Sequence, residues 1–130
     1  MTVDGLVTSR TPRPPEETIA RLKAEIAARK LTIFAEIDHA AGAEAVGLTL
    51  RPLFLIIFGA AKGGAPLMQA GATAGMDLPL KLLVWQDAEG ETQVSYNDPH
   101  WVAKRHGLAA VEAPVRALSE LLSGLVDAAV

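Results

Sequence analysis

Several stretches of the chain place apolar residues at the three- and four-residue intervals of an amphipathic helix. In RTPRPPEETIARLKAEIAARK, residues 10–30, those intervals join Ile19, Leu22 and Ile26 behind an opening run of prolines. Residues 114–129 repeat the pattern and predict a last helix. Shorter helices are expected in the small-residue stretch 40–47, from Pro66 onwards, and after NDP at 97–99.

The remaining apolar positions follow strand patterns. LTIFAEIDH, residues 31–39, alternates and predicts a half-buried strand with Leu31, Ile33, Ala35 and Ile37 on one face. Residues 48–58 end in a run that is apolar on both faces, which indicates a central strand covered on both sides. LPLKLLVWQDAEGETQVSY reads as a hairpin whose loop ends at Gly90, and residues 3–9 predict a first short strand.

Together these elements predict an α+β fold: a single two-layer domain over 1–130, with its core at about 4–125. The sheet is expected to be mixed, with about five strands, and the helices to lie mainly on one face. The doubly apolar strand 53–58 then needs a second cover. A homodimer that packs sheet on sheet would supply it, and so would the loop and helix after Ala61 folding back.

Composition narrows the class of protein. The chain is 50% apolar and 21% charged, as expected of a globular domain, and its net charge of −3 argues against a nucleic-acid partner. It has no cysteine, which excludes disulfides and thiolate metal sites. The longest apolar run is too short to span a bilayer, so we expect a cytoplasmic protein with no membrane partner, no cofactor and no metal.

One loop suggests a ligand. In FGAAKGGAPLM, residues 58–68, Lys62 follows a buried strand and precedes Gly64 and a helix start, where backbone N–H groups and a cation can converge on an anion. The glycine spacing matches neither a P-loop nor a dinucleotide fingerprint. The alternative is that the glycines only permit a tight strand-to-helix turn, with Lys62 in solvent.

Two further segments carry polar candidates. Asp38 and His39 follow a strand, where a carboxylate beside an imidazole can serve acid–base chemistry, or where Asp38 simply bonds backbone N–H groups. The segment around YNDPHWVAKRHG offers Tyr96, Asn97 and His106, and either Asn97 or Asp98 is suited to capping a helix.

Four motifs in this order resemble the domain-of-unknown-function family 302 (DUF302): FAEIDHAAGA, FGAAKGGAPLMQ, MDLPLKLLVWQDAEGETQVSYNDP and RHGL. The resemblance covers about residues 4–125 and implies a small, dimeric α+β domain with no established activity. Where the family commonly reads Phe-Gly-Asn-Pro-Lys, this chain has Ala60 and Ala61 before the lysine. The positions that match the family pattern are Asp38, His39, Lys62, Gly64, Tyr96, Asn97 and His106.

Three functions follow as hypotheses. The first is a non-enzymatic homodimer that binds a small anionic ligand near Lys62, Asp38–His39 and Asn97. The second is an isomerase or hydrolase with His39 or His106 as base, Asp38 as orienting group and Lys62 as electrostatic stabiliser. The third is a protein–protein interaction module. Closeness of Asp38 or His39 to Lys62 would favour the first two over the third.

Overall fold

The computed structural model describes residues 2–130. Its strands are β1 Leu6–Thr11, β2 Thr32–Asp38, β3 Leu53–Gly59, β4 Leu80–Gln86 and β5 Thr92–Asn97. Its helices are α1 Pro15–Ala28, α2 His39–Glu44, α3 Ala61–Ala70, α4 Pro99–Arg105 and α5 Glu112–Ala129, with a 3₁₀ turn at Ala72–Met76.

The five strands form one sheet in the order β1-β5-β4-β3-β2. The α+β class, the number of strands and the helices on one face are confirmed. The sheet, however, is antiparallel at every pairing instead of mixed. The two strands joined by α1 run in the same direction but lie at opposite edges of the sheet, so they never pair.

One face of the sheet, which we call the helix side, carries the main core. Helices α1 and α5 lie across β3, β4 and β5, and the fully buried residues of this layer are joined into one cluster. That cluster comprises Leu22, Ile26, Ile56, Phe58, Leu82, Val84, Val94, Leu122, Leu125, Val126 and Ala129. The apolar residues that recur at helical spacing in the sequence therefore form the surfaces through which these two helices contact the core.

A β-bulge at Phe34 changes which side chains of β2 face the core. Ile33 pairs with Phe58 on the helix side, but after the bulge Ala35 pairs with Ile57 on the opposite face. Directly opposed residues of antiparallel strands share a face. The prediction that Ile33 and Ala35 lie on one face is therefore wrong, because the extra residue inverts the alternation.

The second face, which we call the open face, is apolar at its centre. It presents Ala35, Ile37, Leu55, Ile57, Leu83 and Trp85, as the strand pairings require. None of these six belongs to a buried core cluster of residues 2–130. The segment after Ala61 does not cover them, because α3 packs through Leu67 into a second cluster with α5. Of the two covers considered for β3, the folded-back helix is thus wrong.

Helix α3 begins earlier than predicted. It starts at Ala61, so Pro66 lies inside the helix instead of in its first turn. Gly63 and Gly64 are helical and permit close packing, since a Cβ at each would touch Leu118 and Leu78 respectively. Only Gly59 has a positive φ, 148°, at the turn itself.

Candidate functional site

The predicted site residues form two groups at opposite ends of the sheet. Lys62, Gly64, Asn97 and His106 lie near the end where β3 and β5 finish and β4 begins, which we call the Asn97 end. Asp38 and His39 lie at the opposite end, because Asp38 pairs with Phe54. Gly59 follows Phe54 by five positions along β3, a distance of about 17 Å. The expected convergence of Asp38 and His39 with Lys62 is wrong.

Asp38 and His39 have a local role that the sequence left open. Asp38 precedes α2, and its Oδ1 accepts a hydrogen bond from the Ala41 N–H at 2.9 Å. It is therefore the N-cap of α2. His39 is the first residue of that helix and is exposed.

The best-connected polar cluster at the Asn97 end is centred on Asp77. Its Oδ2 lies 2.6 Å from His106 Nε2, and Arg105 Nη1 donates to both carboxylate oxygens at 2.9 and 3.0 Å. His106 Nδ1 lies 2.8 Å from Thr73 Oγ1. The His106 side chain is 7% exposed and that of Asp77 13%, so water competes little for these bonds.

This arrangement fixes the imidazole at both nitrogens. When His106 is neutral, Nε2–H donates to the carboxylate and Nδ1 accepts from the Thr73 hydroxyl. The cluster ties the end of α4 to the turn before β4, and it forms a continuous hydrogen-bonded path from a carboxylate to an exposed hydroxyl.

Sequence reasoning selected His106 but missed Asp77 and Thr73. Asp77 lies 29 positions before His106 and Thr73 lies 33 before it. Such pairs show no helical or strand spacing, so only the fold reveals them. Thr73 lies in the 3₁₀ turn Ala72–Met76, and Asp77 directly follows it.

A small cavity lies beside this cluster, where β4 and β5 diverge beyond the Leu83–Ser95 pair. Its volume is about 20 Å³, and its polar lining residues are Asp77, Lys81 and Asn97. A space of this size holds about one water molecule. A second, apolar cavity of about 60 Å³ shares Leu78, Leu80 and Leu118 with it and is also lined by Gly64.

Two titratable groups near this end are perturbed by burial. Partial burial lowers the pKa of Lys81 from its usual value, although the carboxylate of Asp77 opposes this. Burial raises the pKa of Tyr96, and the charges of Asp98 and Asp127 add to that effect. Lys62 is the second residue of α3, is exposed, and lines neither cavity.

The fold defines the class of protein: a two-layer α+β domain with an antiparallel sheet and one uncovered face. The family model called Domain of unknown function DUF302 matches residues 7–129. The chain therefore belongs to the DUF302 family, which confirms the resemblance seen in the sequence. The crystal structure of an uncharacterized conserved DUF302 protein from Bacillus stearothermophilus superposes with a TM-score of 0.87 at 18% identity, covering 98% of this chain and 100% of that one.

Curated relatives carry a different kind of name. Proteins called "Fluoride-specific ion channel FluC 1" from Brucella suis and Brucella abortus are each 43% identical to this chain over 104 residues, which is 80% of the chain. The matched segment is 41% of the first protein and 38% of the second. The chain thus spans about two-fifths of the length of these relatives. Among residues 2–130, no helix is long and apolar enough to cross a membrane.

Proposed function

We propose that this chain is a homodimeric module whose open face is the interface between the two copies, and that it binds a small anionic ligand at the Asn97 end. The observation that carries the proposal is the uncovered apolar centre of the sheet. It is formed by Leu55, Ile57, Leu83 and Trp85 of the two central strands.

The size of the open face supports an interface. Five strands about 4.8 Å apart and about 20 Å long give a face of several hundred Å². The apolar centre is part of this face, and the largest apolar patches of typical monomers, about 300–600 Å², often have a functional role. Ile37 extends the patch towards the β2 edge and is 39% exposed.

The polar side of the same face limits where the second copy sits. Towards β1, Ser95 accepts from the indole N–H of Trp85 at 2.9 Å, and its hydroxyl lies 2.8 Å from that of Thr8. These polar groups are already satisfied within one copy. The contact is therefore expected over the apolar side chains of β2, β3 and β4. Lys81, which pairs with Ile57, also lies on this face, at its Asn97 end.

The test compares two charge substitutions by light scattering after size exclusion. Leu55→Glu places a carboxylate at the centre of the proposed interface, where burial without a partner is costly. Val46→Glu is the matched control, since Val46 lies in the loop after α2 and is 73% exposed. We expect Leu55→Glu to be monomeric and Val46→Glu to remain dimeric. Equal masses for wild type and Leu55→Glu would reject the open face as the interface.

For the ligand, the proposal places a water-sized anion in the 20 Å³ cavity. Lys81 supplies a cation and Asn97 an amide donor, while Arg105 already offsets the charge of Asp77. The name of the Brucella relatives makes fluoride the anion to test. It also makes a role beside a membrane fluoride channel the second candidate function. We place the module on the cytoplasmic side, which fractionation of host cells would check.

Thermal unfolding in fluoride and in chloride at equal ionic strength tests this ligand. Binding to the folded state raises the midpoint, so fluoride is expected to raise Tm above its value in chloride. Lys81→Met should lose the difference, whereas Lys104→Met, an exposed lysine outside the cavity, should keep it. The same response in all three proteins, or none in any, would reject the cavity as an anion site.

The enzyme hypothesis built on His39, Asp38 and Lys62 gains no support from the geometry. Lys62 lies at the Asn97 end, whereas Asp38 caps α2 at the other end. The Asp77–His106–Thr73 path is the arrangement that acid–base chemistry would use instead, and its hydrogen bonds also account for it as a structural link.

A further inference from the structure

A groove on the helix side of the molecule has no role in the function proposed above. It lies between the first turns of α1, the helix α2 and the chain segment 48–54, at the Asp38 end of the sheet. Its volume is about 500 Å³, within the range of binding clefts. The groove is therefore large enough to receive side chains from a partner.

The floor of the groove is apolar and partly open to solvent. Its lining includes Ile19, Leu48, Leu50 and Phe54. Both of these leucines are exposed, Leu48 by 64% and Leu50 by 47%. When apolar groups of another molecule cover these exposed side chains, apolar surface is removed from water and the free energy of the system falls.

The charged groups of the groove all have the same sign. Glu16, Asp38 and Glu44 line it, and its lining contains no lysine, arginine or histidine. Within residues 2–130, neither Glu16 nor Glu44 has an ion-pair partner, whereas the nearby Glu17 and Glu36 are paired with Arg13 and Lys23. The groove thus leaves two exposed carboxylates available to cations from outside.

We propose that this groove docks a basic amphipathic segment of another protein, with its apolar side chains on the leucine-rich floor and its lysines or arginines beside Glu16 and Glu44. The apolar floor and the acidic border together specify this partner chemistry. The apolar face of such a segment would pack on the floor, and its cationic side chains would lie beside the carboxylates. An anionic membrane surface is disfavoured, since its charge has the same sign as the border.

The docking site is independent of the proposed dimer. The groove lies on the helix side and the dimer contact on the open face, so each can be lost without the other. A monomeric protein that still binds basic segments would reject the dimer alone.

The experiment uses a labelled probe peptide of leucine and lysine in an amphipathic helical pattern, titrated with the full chain and followed by fluorescence anisotropy. A second peptide with glutamate in place of every lysine is the probe control. The test variant is Glu16→Gln with Glu44→Gln. The matched control is Glu89→Gln with Glu120→Gln, which changes the net charge equally at exposed positions outside the groove.

We expect the basic peptide to bind about tenfold more weakly to the groove variant, and within about twofold of wild type to the control variant. Leu48→Ser, at an exposed position, should also weaken binding without unfolding the protein. Equal weakening in both glutamate variants would show attraction to net charge alone and overturn the proposal. Binding of the acidic peptide, or preference for phosphatidylserine vesicles over the basic peptide, would overturn it as well.

Discussion

Tyr96 is the single tyrosine of the chain, so its ionisation can be followed without interference from another phenol. Burial beside Asp98 and Asp127 raises its pKa above the usual value of 10.0. We expect the absorbance change of tyrosinate to occur above that pH in the native protein and near it after denaturation in urea.

The sign of the linked stability change follows. Above the usual pKa, the unfolded chain loses this proton before the folded protein does, so this group lowers stability as pH rises beyond about 10. A native titration at or below the value of the unfolded chain would contradict the buried position of Tyr96.

Gly5 gives a second prediction at the scale of one residue. Its φ is +75°, and a Cβ there would overlap the ring of Trp101. Gly5→Ala should therefore cost at least about 2 kcal/mol in the free energy of unfolding, from left-handed backbone strain and overpacking. The measurement is urea denaturation.

Gly42→Ala is the matched control. Gly42 lies in α2 with open space around it, so the change should be neutral or stabilise by about 0.5–1 kcal/mol. Equal effects at the two glycines would mean that Trp101 does not pack against the turn at Gly5.

Residue roles were only partly predictable from the sequence. The hairpin loop was, because Gly90 has the expected positive φ and Asp87 accepts from the backbone N–H groups of Glu89 and Glu91. Such contacts are local. The bonds of Asp77 with His106 and of Trp101 with Asp4 join residues far apart in the chain, and no local pattern encodes them.

At the scale of elements, the end of α1 offers a direct test of its geometry. Lys30 has a φ of 58°, its N–H donates to Ala27, and the next N–H, of Leu31, donates to Ile26. This is a Schellman motif with a lysine where glycine is preferred. Lys30→Gly should therefore stabilise the protein by about 0.5–1 kcal/mol.

Lys30→Ala serves as its control, because alanine keeps the side-chain cost of the left-handed conformation and should leave stability within about 0.5 kcal/mol. The comparison is made by thermal or urea unfolding. Destabilisation by glycine relative to alanine would contradict the described end of α1.

The presence of each main helix could be predicted from the periodicity of apolar residues. The bounds of the elements and the faces of the strands depended on contacts along the whole sheet. Helices α1 and α5 were predicted because the apolar side of each was enough to define it. The faces of β2 were not, since one extra residue at Phe34 exchanges them. The start of α3 was missed because Pro66 is tolerated inside that helix.

At the scale of the whole molecule, the sequence indicated the layer architecture and the need for a second cover over β3. It could not decide what supplies that cover. The structure excludes α3, which packs through Leu67 on the helix side. The apolar centre of the open face, with Leu55 and Ile57 on β3, is what the proposed second copy would bury.

Sedimentation equilibrium of the wild-type chain tests this central claim most directly. At about 100 μM, a dimer with a micromolar Kd is mostly associated. The account predicts a single species of twice the chain mass of 13.7 kDa. A single species at 13.7 kDa under these conditions would contradict it and leave the open face exposed to water.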